Sequence, residues 1–197
     1  MRMIRFGRLA TTVLAAAVAG CNNRPARVGV PDFDAVEISA QALTTYDINH
    51  DGRLDSAECS KSLASTIGRA DKDHDGQLTA DEIAGRFKFY EEFRAGIVPV
   101  FCTISRGGRP VADATVTYQP EDFMGPNAVP ATGKTNAAGS TPISMSADHL
   151  PSPAHAGVQP GFYRVLVTLA DGTSVSKLDA GVECAGDVQN THSFVLP

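Results

Sequence analysis

Asp47-Ile48-Asn49-His50-Asp51-Gly52-Arg53-Leu54-Asp55-Ser56-Ala57-Glu58 and Asp71-Lys72-Asp73-His74-Asp75-Gly76-Gln77-Leu78-Thr79-Ala80-Asp81-Glu82 are two copies of one pattern, D-x-[DN]-x-[DN]-G-x5-E. The spacing turns oxygen atoms toward a single point. In the first copy Asp47, Asn49 and Asp51 stand at positions 1, 3 and 5, Arg53 offers its backbone carbonyl, Asp55 acts directly or through water, and Glu58 closes the shell with both oxygens. Asp71, Asp73, Asp75, the carbonyl of Gln77, Thr79 and Glu82 take those places in the second. Gly52 and Gly76 fall at the sharp bend, where a residue without a Cβ is least strained. Each copy gathers four carboxylates that repel one another unless a cation lies between them. A hard cation taking six to eight oxygens at roughly 2.3 to 2.6 Å, calcium above all, suits such a set.

This is the pattern of an EF-hand calcium loop, and its repetition implies a pair of such sites holding two calcium ions. Asp32 or Asp34 would cap an entering helix that runs to Tyr46, with Phe33, Val36, Ala40 and Leu43 on one face. Ile83, Phe87, Tyr90 and Phe93 recur at helical spacing after the second loop. Only Cys59 to Ala70 separates the loops, which is short for two helices and a link. One continuous helix there would hold the sites about 18 Å apart. A break near Lys61 and Ser62, with Ser62 capping a helix that buries Leu63, Ile67 and Ala70, would let them fold together, and Leu54 and Leu78 at position 8 favour it.

Upstream, Met1 to Gly20 carries Arg2, Arg5 and Arg8 ahead of an uncharged apolar run from Leu9 to Gly20. That run is too short to span a bilayer and reads as a secretory signal. Val18-Ala19-Gly20-Cys21 resembles the lipobox of bacterial lipoproteins, which implies lipid on Cys21 and a membrane anchor in the cell envelope; ordinary cleavage with Cys21 left free is the alternative. Asn22 to Pro31 lacks periodicity, as a tether does. Without Met1 to Gly20 the chain keeps 14 basic residues against 22 acidic ones, a net charge of −8, which argues against nucleic acid as a partner. Cys59, Cys102 and Cys184 could form one bridge under oxidising conditions, Cys102 with Cys184 by proximity in sequence, or stay as buried thiols.

Downstream of Gly96 the period changes from helical to two. Val98, Val100, Cys102 and Ile104 alternate with Pro99, Phe101 and Thr103, followed by a turn at Arg106-Gly107-Gly108 and a strand from Ala114 to Tyr118. A turn at Thr135 to Gly139 precedes a weak strand around Ile143 and Met145. Phe162 to Leu169 is the strongest strand, Asp171-Gly172 a hairpin turn, and Ser193 to Leu196 a closing strand. The fold class expected is α+β, a helical EF-hand pair followed by a small antiparallel β-sandwich. The division is a signal at 1–20, a tether at 21–31, the pair at 32–95 and the sandwich at 96–197.

Gly107 to Glu121, Thr132-Gly133-Lys134-Thr135-Asn136 with Gly139, and Pro160-Gly161-Phe162-Tyr163-Arg164-Val165 together resemble the carboxypeptidase regulatory-like, or transthyretin-like, β-sandwich over the last hundred residues. With the lipobox and the doubled loop, the chain resembles a group of bacterial lipoproteins. The resemblance implies a non-catalytic accessory role, and G-x-S-x-G, HExxH and cysteine-histidine signatures are absent from the sequence. The expectation is a calcium-binding, lipid-anchored envelope protein with a structural or binding role. A calcium-dependent docking module for a protein partner, or an accessory subunit of an envelope enzyme, is the alternative.

Overall fold

The computed structural model of the chain describes residues 31, 33–59, 61–64, 67–175, 178 and 180–197. The expected signal at 1–20, the lipidation at Cys21 and all of the tether but Pro31 lie outside the described residues. The molecule is mostly β-sheet, a curled sheet carrying two longer helices.

Helix α1 spans Ala35–Tyr46. Asp34 starts it, its Oδ1 accepting from the backbone N–H of Val36 at 3.1 Å and of Glu37 at 3.0 Å, which satisfies two donors that a helix start leaves open. Ala35, Ile38, Ser39 and Ala42 are buried, whereas Val36 is 67% exposed. The expected face through Val36 and Ala40 is therefore rotated by two residues. The competing apolar stripe at 35, 38 and 42 wins because both stripes fit a helical period and only the partner decides between them.

Strand β1, Arg53–Asp55, lies antiparallel to β2, Gln77–Thr79, with Leu54 opposite Leu78. Both leucines are fully enclosed. Between them the chain makes a short helix α2, Lys61–Ala64, and a 3₁₀ turn, Ile67–Arg69. The connection is not one continuous helix, and it buries Leu63, Ile67 and Ala70; the break expected near Lys61 and Ser62 is corrected, since both lie inside α2. Helix α3 covers Ala80–Phe93, started by a capping box in which Thr79 and Glu82 satisfy each other's backbone donors. It ends at Arg94 in the left-handed region, φ 53°. Its buried face is Ile83, Ala84, Arg86, Phe87 and Tyr90, with Phe93 49% exposed rather than continuing the stripe.

The remaining strands are β3 Val100–Arg106, β4 Arg109–Pro110, β5 Thr115–Pro120, β6 Ala131–Lys134, β7 Ser140–Met145, β8 Gly161–Thr168, β9 Gly181–Cys184 and β10 Thr191–Leu196. They pair in the order β10-β3-β7-β6-β5-β8-β9, with β4 folded back on β3. The expected all-antiparallel sandwich is corrected at one edge, because β10 runs parallel to β3, with Thr191 opposite Phe101 and Leu196 opposite Arg106. A parallel neighbour needs a crossover rather than a hairpin; here the chain leaves β9 at the other edge and returns beside β3. One face of the curled sheet encloses Val100, Cys102, Ile104, Val116, Tyr118, Ile143, Tyr163, Val165 and Val167. Cys59, Cys102 and Cys184 are free and buried, so the bridge favoured from sequence does not form. Burial pushes the Cys59 thiol up to about 12 and the Cys102 thiol up to about 11.

A second core joins the helices to the sheet. Phe33, Ile38, Leu54, Leu78, Phe87 and Tyr90 pack with Phe123, Met124, Phe162 and Ala185, and the ring of Phe87 lies 5.4 Å from Phe33, 6.0 Å from Phe162 and 6.3 Å from Phe123. Full burial of one such phenyl ring contributes about 2 to 3 kcal/mol. Two polar contacts fix the register of this interface. The Tyr46 hydroxyl donates to Glu121 Oε2 at 2.7 Å. Arg86 forms an ion pair with Glu183 and a fork to Asp187 at 3.0 and 2.9 Å, while the Tyr90 hydroxyl donates to Glu183 Oε1 at 2.6 Å. Glu183 is pushed up by burial, against which Tyr90 and Arg86 pull it down.

Removing one partner of such a buried pair strands the other charge. Arg86→Met therefore lowers unfolding stability by about 3 kcal/mol in denaturant titration, whereas the exposed pair Lys134–Asp113 tolerates Lys134→Met with a change of less than about 1 kcal/mol.

Candidate metal centre

The two loops share one backbone course. His50 and His74, at position 4 of each, both have φ 60°, and Gly52 and Gly76, at position 6, have φ 82° and 84°. A positive φ at a histidine is uncommon, and it recurs at equivalent places together with two equivalent internal hydrogen bonds. Asp51 N–H donates to Asp47 Oδ1 at 3.1 Å and to Asn49 Oδ1 at 2.8 Å, and Gly52 N–H donates to Asp47 Oδ2 at 2.9 Å. In the second loop Asp75 N–H donates to Asp73 Oδ1 at 3.2 Å and Gly76 N–H to Asp71 Oδ2 at 3.0 Å. The antiparallel pair β1–β2 sets the loops back to back.

Six of the twelve residues named from sequence converge in two groups. Asp47, Asp51 and Glu58 offer carboxylate oxygens all within 4.8 Å of one another, as do Asp71, Asp73 and Glu82. Either group could hold a metal ion. Asn49 stands beside the first group, its Nδ2 donating to Asp51 Oδ2 at 3.2 Å. Asp55 instead caps the following turn, accepting from Ala57 N–H at 2.7 Å and Glu58 N–H at 3.1 Å. Thr79 is engaged with Glu82 through its hydroxyl at 2.8 Å. Asp75 and Gln77 both face Arg53, whose Nη1 lies 2.9 Å from Asp75 Oδ2 and 3.2 Å from Gln77 Oε1.

The closing glutamates are already aimed inward. Glu58 accepts from the backbone N–H of Ile48, Asn49 and Asp55 at 3.1, 3.0 and 3.3 Å. Glu82 accepts from Lys72 N–H and Thr79 N–H, each at 2.9 Å. Burial pushes its carboxyl up, but these hydrogen bonds prevail and hold it below the usual glutamate range. One oxygen lacks any such support. Asp71 is only 6% exposed, and its Oδ1 has no hydrogen-bond partner among the described residues. An unpaired buried carboxylate oxygen costs about 1 to 3 kcal/mol, or more for a full charge, a cost that a bound divalent cation would remove. The donor set is all oxygen, as hard cations of the calcium and magnesium kind require.

No protein-family profile matches the chain, and no curated protein matches it. Among solved structures, part of the chain superposes on a DUF3823 family protein from Parabacteroides merdae at 12% identity and TM-score 0.29, covering 50% of this chain and 44% of that one. A 9R-lipoxygenase from Cyanothece superposes at 12% identity and TM-score 0.27, over 50% of this chain and 16% of that one.

The unsupported oxygen generates a test with opposite signs. Asp71→Asn raises the melting temperature in chelator by a few degrees, since it removes a buried charge, and it lowers the stabilisation gained from added calcium; differential scanning calorimetry in both buffers reads the two effects.

Proposed function

We propose that the chain is a calcium-binding protein of the cell envelope, in which two EF-hand loops each hold one ion and a carboxypeptidase regulatory-like sandwich carries them. The observation that supports it most is Asp71, a buried aspartate whose Oδ1 is unpartnered among the described residues and which belongs to a converging set of carboxylates spaced as the calcium pattern requires. Asp47, Asn49, Asp51, Asp55, Glu58 and the Arg53 carbonyl would bind one ion; Asp71, Asp73, Asp75, Thr79, Glu82 and the Gln77 carbonyl would bind the other. Cys21, with Val18-Ala19-Gly20 before it, is the proposed site of a lipid that tethers the chain to a membrane.

The role read from this is structural or binding rather than catalytic. Between Asp32 and Arg94 there are 14 acidic residues against seven basic ones, and two calcium ions would cancel four of those seven net negative charges. Extracellular calcium modules bind at roughly 10⁻⁴ to 10⁻³ M, weak enough for the ion to serve as a constitutive part of the fold where calcium is plentiful. Because binding favours the folded state, occupancy stabilises the helical segment.

Isothermal titration of the purified chain gives two calcium ions per chain, and Glu58→Gln or Glu82→Gln each removes one. A chain that takes up no calcium at millimolar concentration overturns the reading, as does stoichiometry that neither substitution changes.

A further inference from the structure

The two loops are equal in pattern and unequal in surroundings. Each has an aspartate at position 5, Asp51 in one and Asp75 in the other. Asp51 belongs to the converging group of its loop, and its side chain accepts from Arg53 N–H at 2.9 Å and from the Asn49 amide. Asp75 stands outside the converging group of its own loop. Its Oδ1 accepts from Gln77 N–H at 2.8 Å, and its Oδ2 faces the guanidinium of Arg53 from the other loop at 2.9 Å.

That guanidinium gets there through the strand pair. Arg53 opens β1 and stands opposite Thr79, which closes β2, so its side chain runs along the second strand back toward Gln77 and Asp75. The equivalent residue of the second loop is Gln77, which carries no charge to return to Asp51. Among the twelve ligand positions Arg53 is the one cationic side chain. We infer that Arg53 is a specificity-determining residue for the second site, a tethered cation that competes with calcium for Asp75 and makes the second loop the weaker of the two.

The inference rests on the calcium reading above and adds an order of filling to it. A divalent ion entering the second loop meets a carboxylate whose charge is already partly offset by Arg53 at Oδ2, which weakens the attraction of Asp75 for the ion. The pair is partly solvated, with side chains 47% and 36% exposed, so the competition is modest and screened by salt. Among the described side chains no ion pair places a cation on a carboxylate of the first loop, which therefore fills first.

The decisive comparison uses chains with one loop disabled, so that each site is read alone. In a Glu58→Gln background, where the second loop alone binds, adding Arg53→Gln tightens calcium binding by about threefold to tenfold at low salt. Arg53→Lys, which keeps the charge, restores most of the weakness, and the difference between Arg and Gln shrinks at 0.5 M sodium chloride. In a Glu82→Gln background, where the first loop alone binds, Arg53→Gln tightens binding by a smaller factor, because Arg53 Nη1 is paired with Asp75 of the second loop; equal tightening in the two backgrounds overturns the inference. Unchanged or weaker binding by the second loop on Arg53→Gln overturns the inference while leaving the two calcium sites standing. Absence of calcium uptake by the unaltered chain overturns the calcium reading itself, and this inference with it. Far-ultraviolet circular dichroism of each variant establishes that the helices are intact.

Discussion

Like charges held within a few ångströms of one another resist being brought together, and the helical part of this protein is built around two such groups of carboxylates. Its backbone makes the concession. Two histidines and two glycines adopt left-handed geometry so that N–H groups can point at aspartate oxygens and quieten most of the repulsion. What those N–H groups leave uncovered, chiefly Asp71 Oδ1, is what a bound cation is proposed to satisfy. The first loop is the better prepared of the two, since both oxygens of Asp47 are hydrogen-bonded.

The loops do not stand apart from the rest of the molecule. Helix α1 ends at Tyr46, one residue before Asp47, and that tyrosine is hydrogen-bonded to Glu121 beside the sheet. Helix α3 starts at the second loop and carries Arg86 and Tyr90 to Glu183 on β9. Between these polar contacts lies the aromatic cluster around Phe87, to which Phe123 and Phe162 contribute from the sheet side. A change in either loop is therefore mechanically connected to the sheet through one packed core. The buried ion pair and the two tyrosine hydrogen bonds give that core a single register, because a shifted interface would strand charge in an apolar surrounding.

How much of this can be read from residues alone depends on whether the deciding partner is near in sequence. The loop course, the pairing of Leu54 with Leu78 and the strand from Val100 follow from local pattern, since each motif carries its own hydrogen-bond or burial logic within a few residues. The buried face of α1 does not, because Val36 and Ile38 are equivalent until Phe123 and Phe162 are placed against one of them. The same holds for the proline-rich stretch after Glu121, which looks like an open loop and in fact supplies Phe123 and Met124 to the shared core. The parallel course of β10 depends on a crossover between the two sheet edges, which strand periodicity does not encode. Cys102 and Cys184 belong to one core without being bonded, and sequence alone cannot tell a shared core from a bridge. In the loops themselves, the spacing of the acidic residues made the convergence of Asp47, Asp51 and Glu58 and of Asp71, Asp73 and Glu82 legible, whereas the reach of Arg53 across the strand pair was not, although its charge was an available signal.

The central claim is that a divalent ion between these carboxylates stabilises helices and sheet together. Thermal unfolding of the purified chain, followed at once by a helix-sensitive circular dichroism signal and by the amide-I infrared band of the sheet, tests it most directly in 2 mM calcium against chelator. The account predicts one cooperative transition seen alike by both signals and moved upward by calcium. Coincident curves that ignore calcium would contradict it, and so would a sheet transition that stays in place while the helical one moves.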